Sequence, residues 1–174
     1  MNRARAARPA PGLRLRGAGV GDLRFVSRLA EEAFAAYGDY ARLLTEWATT
    51  PGVETTIAEE DGVPVGLTLL AFFKSPPPST WIADLLAIAV AAQARGRGLG
   101  RTLLGAALAR VEEVDLARPL AYVRLSVAEE NAVGRSLFER AGFEYVDDEQ
   151  GQYPHGQRAL HMRRRLGGAP GSGR

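Results

Sequence analysis

An α/β protein, in the α+β sense of strands and helices in uneven alternation, is the fold class this sequence predicts, and three observations carry it. Apolar residues recur at helical spacing in Leu23, Val26, Leu29, Ala30, Ala33 and Phe34, and again in Leu99, Leu103, Leu104, Ala107, Leu108, Val111 and Val114, the one-sided stripe of a helix packed on a core. Between these stripes Val53 to Ala58 and Val63 to Phe73 read as strands joined by Asp61-Gly62, the dipeptide of a tight hairpin turn. Shorter strand-like and helix-like stretches follow from Ala121 to the C-terminus.

In chain order, Leu13 to Arg16 alternates apolar and charged residues, and Gly17 to Gly21 breaks the strand before Asp22, a residue suited to cap a helix. That helix ends near Tyr37-Gly38, and Tyr40 to Ala48 forms a second short one before Pro51-Gly52. After the hairpin, Pro76-Pro77-Pro78 cannot continue a sheet, so the next strand runs from Trp81 to Val90. A helix follows Gln93, then a strand at Ala121 to Val127, a helix at Asn131 to Ala141, and strands at Phe143 to Val146 and Arg158 to Met162. The sum is about seven strands and about four helices without an internal repeat.

Composition narrows the function classes. With 174 residues, 46% hydrophobic and 24% charged, the chain has the length and balance of one globular domain, expected over residues 13–166. Residues 1–12 and 167–174, rich in Arg, Ala, Pro, Gly and Ser, are expected to be disordered tails. No apolar run reaches the roughly 20 residues of a membrane span, and none resembles a secretory signal, so a cytoplasmic protein with no membrane contact is expected. No cysteine is present, which excludes disulfides, thiolate metal sites and acyl-cysteine chemistry. The pI of 9.3 invites a nucleic-acid reading, but Arg3, Arg5, Arg8, Arg163, Arg164, Arg165 and Arg174 lie at the two ends; without these seven the net charge of +2 becomes −5. Nucleic-acid affinity needs a clustered basic face, which leaves only the tails for contact with RNA.

The segment that carries chemistry is Leu86-Ala-Ile-Ala-Val90 followed by Gln93-Ala-Arg-Gly-Arg-Gly-Leu-Gly-Arg-Thr102, where a buried strand hands over to a helix. Glycines there let unpaired amide N–H groups converge at the positive end of the helix dipole, a place that binds phosphate, and Arg95, Arg97 and Arg101 add charge. A nucleotide-triphosphate loop would continue Gly-Lys-Ser or Gly-Lys-Thr, but Arg101 follows Gly100. A dinucleotide fingerprint starting at Gly96 would need Gly or Ala where Arg101 stands.

Gln93-x-x-Gly96-x-Gly98, and in a second register Arg95-x-x-Gly98-x-Gly100, resemble the pyrophosphate signature of the GNAT acyltransferases. About 30 residues later come Ser126-Val-Ala-Glu-Glu-Asn131 and Leu137-Phe-Glu-Arg-Ala-Gly-Phe143, similar to the second cofactor motif of that family. The resemblance spans roughly residues 13–166. It implies a mixed central sheet splayed between the fourth and fifth strands, acetyl-CoA as cofactor, and transfer of an acetyl group to an amine. The main chain of Ile88, Ala89 and Val90 would hold the pantetheine amides; Arg95, Gly96, Arg97, Gly98, Leu99, Gly100 and Arg101 would supply N–H groups to the pyrophosphate; Asn131 would reach the cofactor arm, although a plain helix cap also explains it.

With no cysteine, direct attack in a ternary complex is the simplest scheme. It needs a base or an ammonium anchor, an oxyanion donor and an acid for the thiolate. Asp84, an acid inside the apolar run Trp81 to Val90, is the candidate base or anchor, with a solvent-facing strand aspartate as the other reading. The family often has a tyrosine acid seven residues after the Asn; here that residue is Phe138, which leaves Tyr145, Tyr153, Ser136, water or no acid. His155 and His161 stand too isolated in the sequence to suggest a metal site. The acceptor groove would draw on Phe34 to Trp47, Phe73 to Trp81 and Asp147 to Gln157, aromatic through Tyr37, Tyr40, Trp47, Trp81 and Tyr153 with Asp39 and Glu46 as an acidic rim. A small primary amine is the expected acceptor, a protein terminus such as that of a ribosomal protein the rival, and a CoA-binding module without turnover a third reading; a homodimer stays open. Acetyl-CoA at a hundredfold excess over its dissociation constant is expected to stabilise the fold by about 2.7 kcal/mol, read as a rise in melting temperature; an unmoved melting curve with no heat of binding would leave the resemblance without functional content.

Overall fold

The computed structural model describes residues 12–76 and 79–166; the two tails expected to be disordered lie outside them except for Gly12, whose carbonyl accepts from the Asp61 N–H (3.1 Å). The elements are β1 (Leu13–Gly17), α1 (Leu23–Phe34), α2 (Tyr40–Ala48), β2 (Val53–Glu60), β3 (Val63–Lys74), β4 (Trp81–Val90), α3 (Leu99–Ala117), β5 (Leu120–Ala128), α4 (Ala132–Arg140), β6 (Glu144–Gln152) and β7 (Arg158–Arg165), with 3-10 turns at Val20–Asp22 and Ala92–Ala94. This is the order that periodicity predicts. The seven strands form one mixed sheet in the order β1-β2-β3-β4-β5-β7-β6, in which β4 and β5 are parallel and every other pair is antiparallel.

Each face of the sheet carries two helices. Phe25, Val26, Leu29 and Ala30 of α1 and Leu44 of α2 cover Ile57, Leu67, Leu69, Ala87 and Ala89. On the other face Leu104, Leu108 and Val111 of α3 and Phe138 of α4 cover Leu85, Val123, Leu125 and Met162. Leu85 and Ala87 have the same parity in a strand yet join opposite cores, because Leu69 pairs with Ala87 and Leu70 with Leu85. Leu86 is thus the extra residue of a β-bulge, which reverses the faces of β4 beyond it.

Several boundaries differ from the sequence expectation, among them the end of β7, which runs to Arg165 rather than Met162. Helix α1 stops at Phe34 rather than near Gly38, and β6 runs to Gln152 rather than Val146. The acidic, glycine-containing stretch after Val146 has little intrinsic strand preference, and its pairing with β7 through Gln150↔Leu160, Gly151↔Ala159 and Gln152↔Arg158 overrides that preference. Among the described residues no helix is long and apolar enough to cross a membrane.

Asp22 stands before α1, as a cap would, but its side chain caps nothing in the helix. It accepts from the Gly19 N–H (2.7 Å) and from two nitrogens of Arg16 (2.7 and 2.8 Å), while the same guanidinium reaches Glu59 of β2 at 2.8 Å. The Arg16 guanidinium, and then the Gly19 N–H, hold the Asp22 carboxyl down at about 2 against an ordinary 3.8. A carboxyl lowered by folding contributes stability that is complete above the unfolded value and lost as pH falls through the folded one. Asp22→Asn is therefore expected to cost about 2 kcal/mol in urea unfolding at pH 7, with the gap from the parent protein closing as pH falls from 4 through 2; a gap that persists below pH 2 would show that charge is not its source.

Candidate functional site

The strand pair at the middle of the sheet comes apart. β4 and β5 are in register from Trp81↔Leu120 to Leu85↔Leu125, and beyond that β4 stays with β3 as far as Gly66↔Val90 while β5 stays with β7 as far as Ala128↔Ala159. Between the parted ends lies a cleft of about 350 Å³ lined on the two strands by Leu86, Ala87 and Ile88 and by Ser126, Val127 and Ala128. The side of β4 from Leu86 to Val90 that would face β5 thus has no strand partner among the described residues, so its main chain is available to an extended ligand.

Past the end of β4 the chain passes Gly96 (φ 76°) and Gly98 (φ 82°) before α3 begins. The left-handed conformation favours glycine at Gly98, the N-cap of α3, and a Cβ built there would meet nothing within 4 Å. No side chain caps the helix, so the first amides of α3, including those of Leu99, Gly100 and Arg101, have no side-chain acceptor among the described residues and stand at the positive end of the dipole. The three arginines divide. Arg95 donates through Nε to the Val90 carbonyl (2.9 Å) and pairs with Glu32 (3.3 Å), and Arg97 pairs with Glu60 (2.8 Å). Arg101 alone of the three has no partner among the described residues. The Val90 carbonyl therefore already accepts one hydrogen bond, and Val90 is not among the residues that line the cleft.

Asn131 is the N-cap of α4: its Oδ1 accepts from the Gly134 N–H (2.9 Å). It also lines the cleft, so cap and ligand contact are compatible. Phe138, one helical turn and more beyond, is buried edge-on against Phe143 (centroids 5.9 Å, planes at 65°).

The other end of the cleft is aromatic. Phe34 and Tyr40 lie 5.4 Å apart, Tyr37 and Tyr153 4.9 Å, Tyr40 and Tyr153 6.2 Å. Tyr153 begins the turn between β6 and β7, and that turn is tied to the α1–α2 loop: His155 N–H donates to the Tyr37 carbonyl (3.3 Å) and Gln157 Nε2 to the Ala36 carbonyl (2.6 Å). Burial, and then the neighbouring Tyr40, Tyr37 and Glu130, push the Tyr153 phenol well above its ordinary value; burial raises Tyr40 as well, and burial with Glu130 raises Tyr37. All three are protonated donors at neutral pH. Of the side chains considered as acids, Tyr153 lines the cleft, whereas Tyr145 and Ser136 do not, and Tyr145 donates to Glu139 (2.5 Å).

Asp84 lies in this wall on β4, its side chain 15% exposed, with Oδ2 accepting from Arg124 Nε at 2.8 Å. Burial pushes its carboxyl above the ordinary aspartate range; the charge and hydrogen bond of Arg124, and after them the charge of His161, pull it back. Arg124 also stacks over Phe73 (5.3 Å). Beside them Ser126 Oγ and His161 Nδ1 are 2.9 Å apart. Neither Arg124 nor the Ser126–His161 pair could be read from spacing, since three strands distant in sequence bring them together.

Two expectations for the acceptor groove change. Trp81 does not line the cleft; it sits at the closed end of the β4–β5 pairing, between Arg118 (4.1 Å) and Lys74 (5.8 Å). The acidic rim is partly neutralised, because Arg42 pairs with both Glu46 (2.6 Å) and Asp39 (3.4 Å). The aromatic lining through Tyr37, Tyr40, Trp47 and Tyr153 is as expected.

The acetyltransferase (GNAT) family pattern matches residues 23–143. No curated protein sequence matches the chain. Among solved structures it is similar to the ribosomal-protein-S18-alanine N-acetyltransferase of Escherichia coli (TM-score 0.73, 18% identity, covering 93% of this chain and 99% of that one). It is similar also to NAA60 of Arabidopsis thaliana in complex with a bisubstrate analogue (TM-score 0.73, 13% identity, 90% and 99%), and to yncA of Salmonella typhimurium with its cofactor acetyl-CoA (TM-score 0.70, 18% identity, 89% and 94%).

Gly98→Glu is expected to abolish acetyl-CoA binding in titration calorimetry without unfolding the chain, because it sets a negative charge at the open helix N-terminus. Gly98→Ala carries the same backbone strain, on the order of 1 kcal/mol, without the charge and is expected to keep most of the affinity. Unchanged binding by the Glu variant would place the phosphates elsewhere.

Proposed function

Because the chain belongs to the acetyltransferase (GNAT) family, we propose that it moves an acetyl group from acetyl-CoA to a primary amine by direct attack in a ternary complex, and that the acceptor is a small molecule. The observation that carries this reading is the cleft opened where β4 and β5 part, which takes in the buried carboxylate of Asp84 and the tyrosines Tyr37, Tyr40 and Tyr153, with the uncapped, glycine-opened N-terminus of α3 following a few residues past the end of β4.

The fit to the cofactor rests on geometry. The amides from Gly96 to Arg101 and the Arg101 guanidinium would hold the pyrophosphate, the main chain of Ile88 and Ala89 would pair with the pantetheine amides, and the Asn131 amide would meet the arm from α4. Bound there, acetyl-CoA supplies the activated acetyl group. The chain supplies the rest. The bulge at Leu86 turns the main chain where the strands part, so its N–H groups are candidates for steadying a developing oxyanion. Asp84 anchors the acceptor's ammonium: Arg124 occupies Oδ2, and no other donor reaches the carboxylate among the described residues. Tyr153, kept protonated by burial, is the candidate acid for the thiolate, in the role that Phe138 cannot fill.

Acetyl-CoA-dependent acetylation across a panel of small amines and peptides tests the reading. Transfer to small amines supports it, transfer to peptide termini alone replaces the acceptor, and binding without transfer to any of them makes the chain a CoA-binding module. Within the panel, Asp84→Asn is expected to leave acetyl-CoA affinity nearly intact and to lower kcat/KM by roughly a hundredfold; parent kcat/KM per folded molecule would remove Asp84 from the acceptor site.

A further inference from the structure

Asp84 accounts for holding an ammonium group and leaves open where the ammonium's proton goes. A carboxylate that stabilises an ammonium holds its proton in place, and only the neutral amine has the lone pair needed for attack. The other polar pair on this wall is suited to receive it. Ser126 is exposed and lines the cleft at the first position where β5 has left β4. Its partner His161, on β7, lies opposite it in the strand register, and the hydroxyl and Nδ1 are 2.9 Å apart. A Cβ at Gly151 of β6 would come within 2.9 Å of His161 Nε2, so the absence of a side chain there gives the ring its room. Asp84 lies close enough to feel the charge of His161. Among the described residues, other charged groups of this face include Arg124 on β5, already bound to Asp84, Arg163 and Arg165 on β7, the former stacked over Tyr122 (4.5 Å), and Glu144 on β6, opposite Arg163.

We propose that Ser126 and His161 form a proton relay that deprotonates the acceptor, with Ser126 touching the amine and His161 acting through it. As the ammonium N–H bond breaks, its proton passes to Ser126 Oγ, the Ser126 hydroxyl proton passes to His161 Nδ1, and the positive charge moves from the amine to the imidazole. The nitrogen keeps the electron pair of the broken bond for attack on the acetyl carbon. Histidine suits the end of such a relay because its ordinary range spans neutral pH, and Asp84 offsets the charge that arrives. Asp84 then acts twice, first on the ammonium and afterwards on the imidazolium. This inference rests on the cleft taking a primary amine.

The relay matters only for acceptors that arrive protonated, and this separates it from a structural role. Ser126→Ala and His161→Gln are each expected to lower kcat/KM on the order of a hundredfold at pH 7 for an alkylamine, and to leave it within about twofold for an aryl hydrazine, which is already neutral at that pH. Ser126 is exposed, so its Ala variant should fold even where the His161 variant does not. In the protein without acetyl-CoA, the His161 Nδ1 resonance is expected to shift in Ser126→Ala. Equal losses on both acceptors, no loss on the alkylamine, or an unmoved Nδ1 resonance would each overturn the relay. Parent protein that acetylates neither acceptor would overturn the acetyltransferase reading and the relay with it, whereas parent transfer with indifferent variants overturns the relay alone.

Discussion

The parting of β5 from β4 governs the rest of the molecule. The two strands share only four registered pairs, ending at Leu85↔Leu125, and each is fully engaged on its far side, β4 with β3 and β5 with β7 over seven pairs. Neither strand can follow the other past Leu85 without giving up its outer partner. The separation leaves main-chain groups of two interior strands facing a cleft instead of each other, an expensive arrangement unless something else pairs with them. Helix α4, through the buried Phe138, and the core around Val127 and Met162 support the β5 side of the gap. The bulge at Leu86 then sends Ala87 and Ala89 to the α1 face, while the cleft takes in Asp84 together with Tyr37, Tyr40 and Tyr153.

Charge is placed with the same economy. A carboxylate as enclosed as Asp84 is costly to ionise without a partner, and Arg124 gives it one while its own guanidinium rests on Phe73. Arg95 and Arg97, by contrast, are drawn aside by Glu32 and Glu60. This leaves the backbone and Arg101 to set the potential at the α3 N-terminus, a site that depends more on oriented amides than on side-chain charge. The Arg16 cluster with Asp22 and Glu59 is of another kind: it joins β1, β2 and the start of α1, none of its three residues lines the cleft, and its work is structural.

Docking of the β6–β7 turn on the α1–α2 loop completes the pocket. Tyr153 reaches Tyr37 and Tyr40 only because β6 extends to Gln152 and the turn that follows bonds to Ala36 and Tyr37. The pocket wall is therefore assembled from two segments more than a hundred residues apart, and the hydroxyls it encloses are kept protonated by the apolar surroundings they share.

The order of the eleven helices and strands was legible in the sequence because amphipathic period and turn chemistry are local properties, and in α1, the β2–β3 hairpin and α3 local preference agrees with the final packing. The glycine-opened start of α3 was legible for the same reason: the left-handed conformation of Gly98, which favours glycine, is set within a few residues. Asp84 stood out as an acid in an apolar run, and Asn131 as a cap. The splay between the fourth and fifth strands was expected only through the family resemblance, and residue spacing by itself could not determine the details that depend on which strand lies beside which. The extra residue at Leu86 exists only as a mismatch between two strands, the length of β6 only as a consequence of β7, and Trp81 falls outside the pocket because it lies at the closed end of a pairing whose open end begins at Leu86. Arg124 and His161 acquire their meaning only when β4, β5 and β7 stand side by side, since hydrogen bonds and burial are set by distance in space and leave no trace in the spacing of residues along the chain.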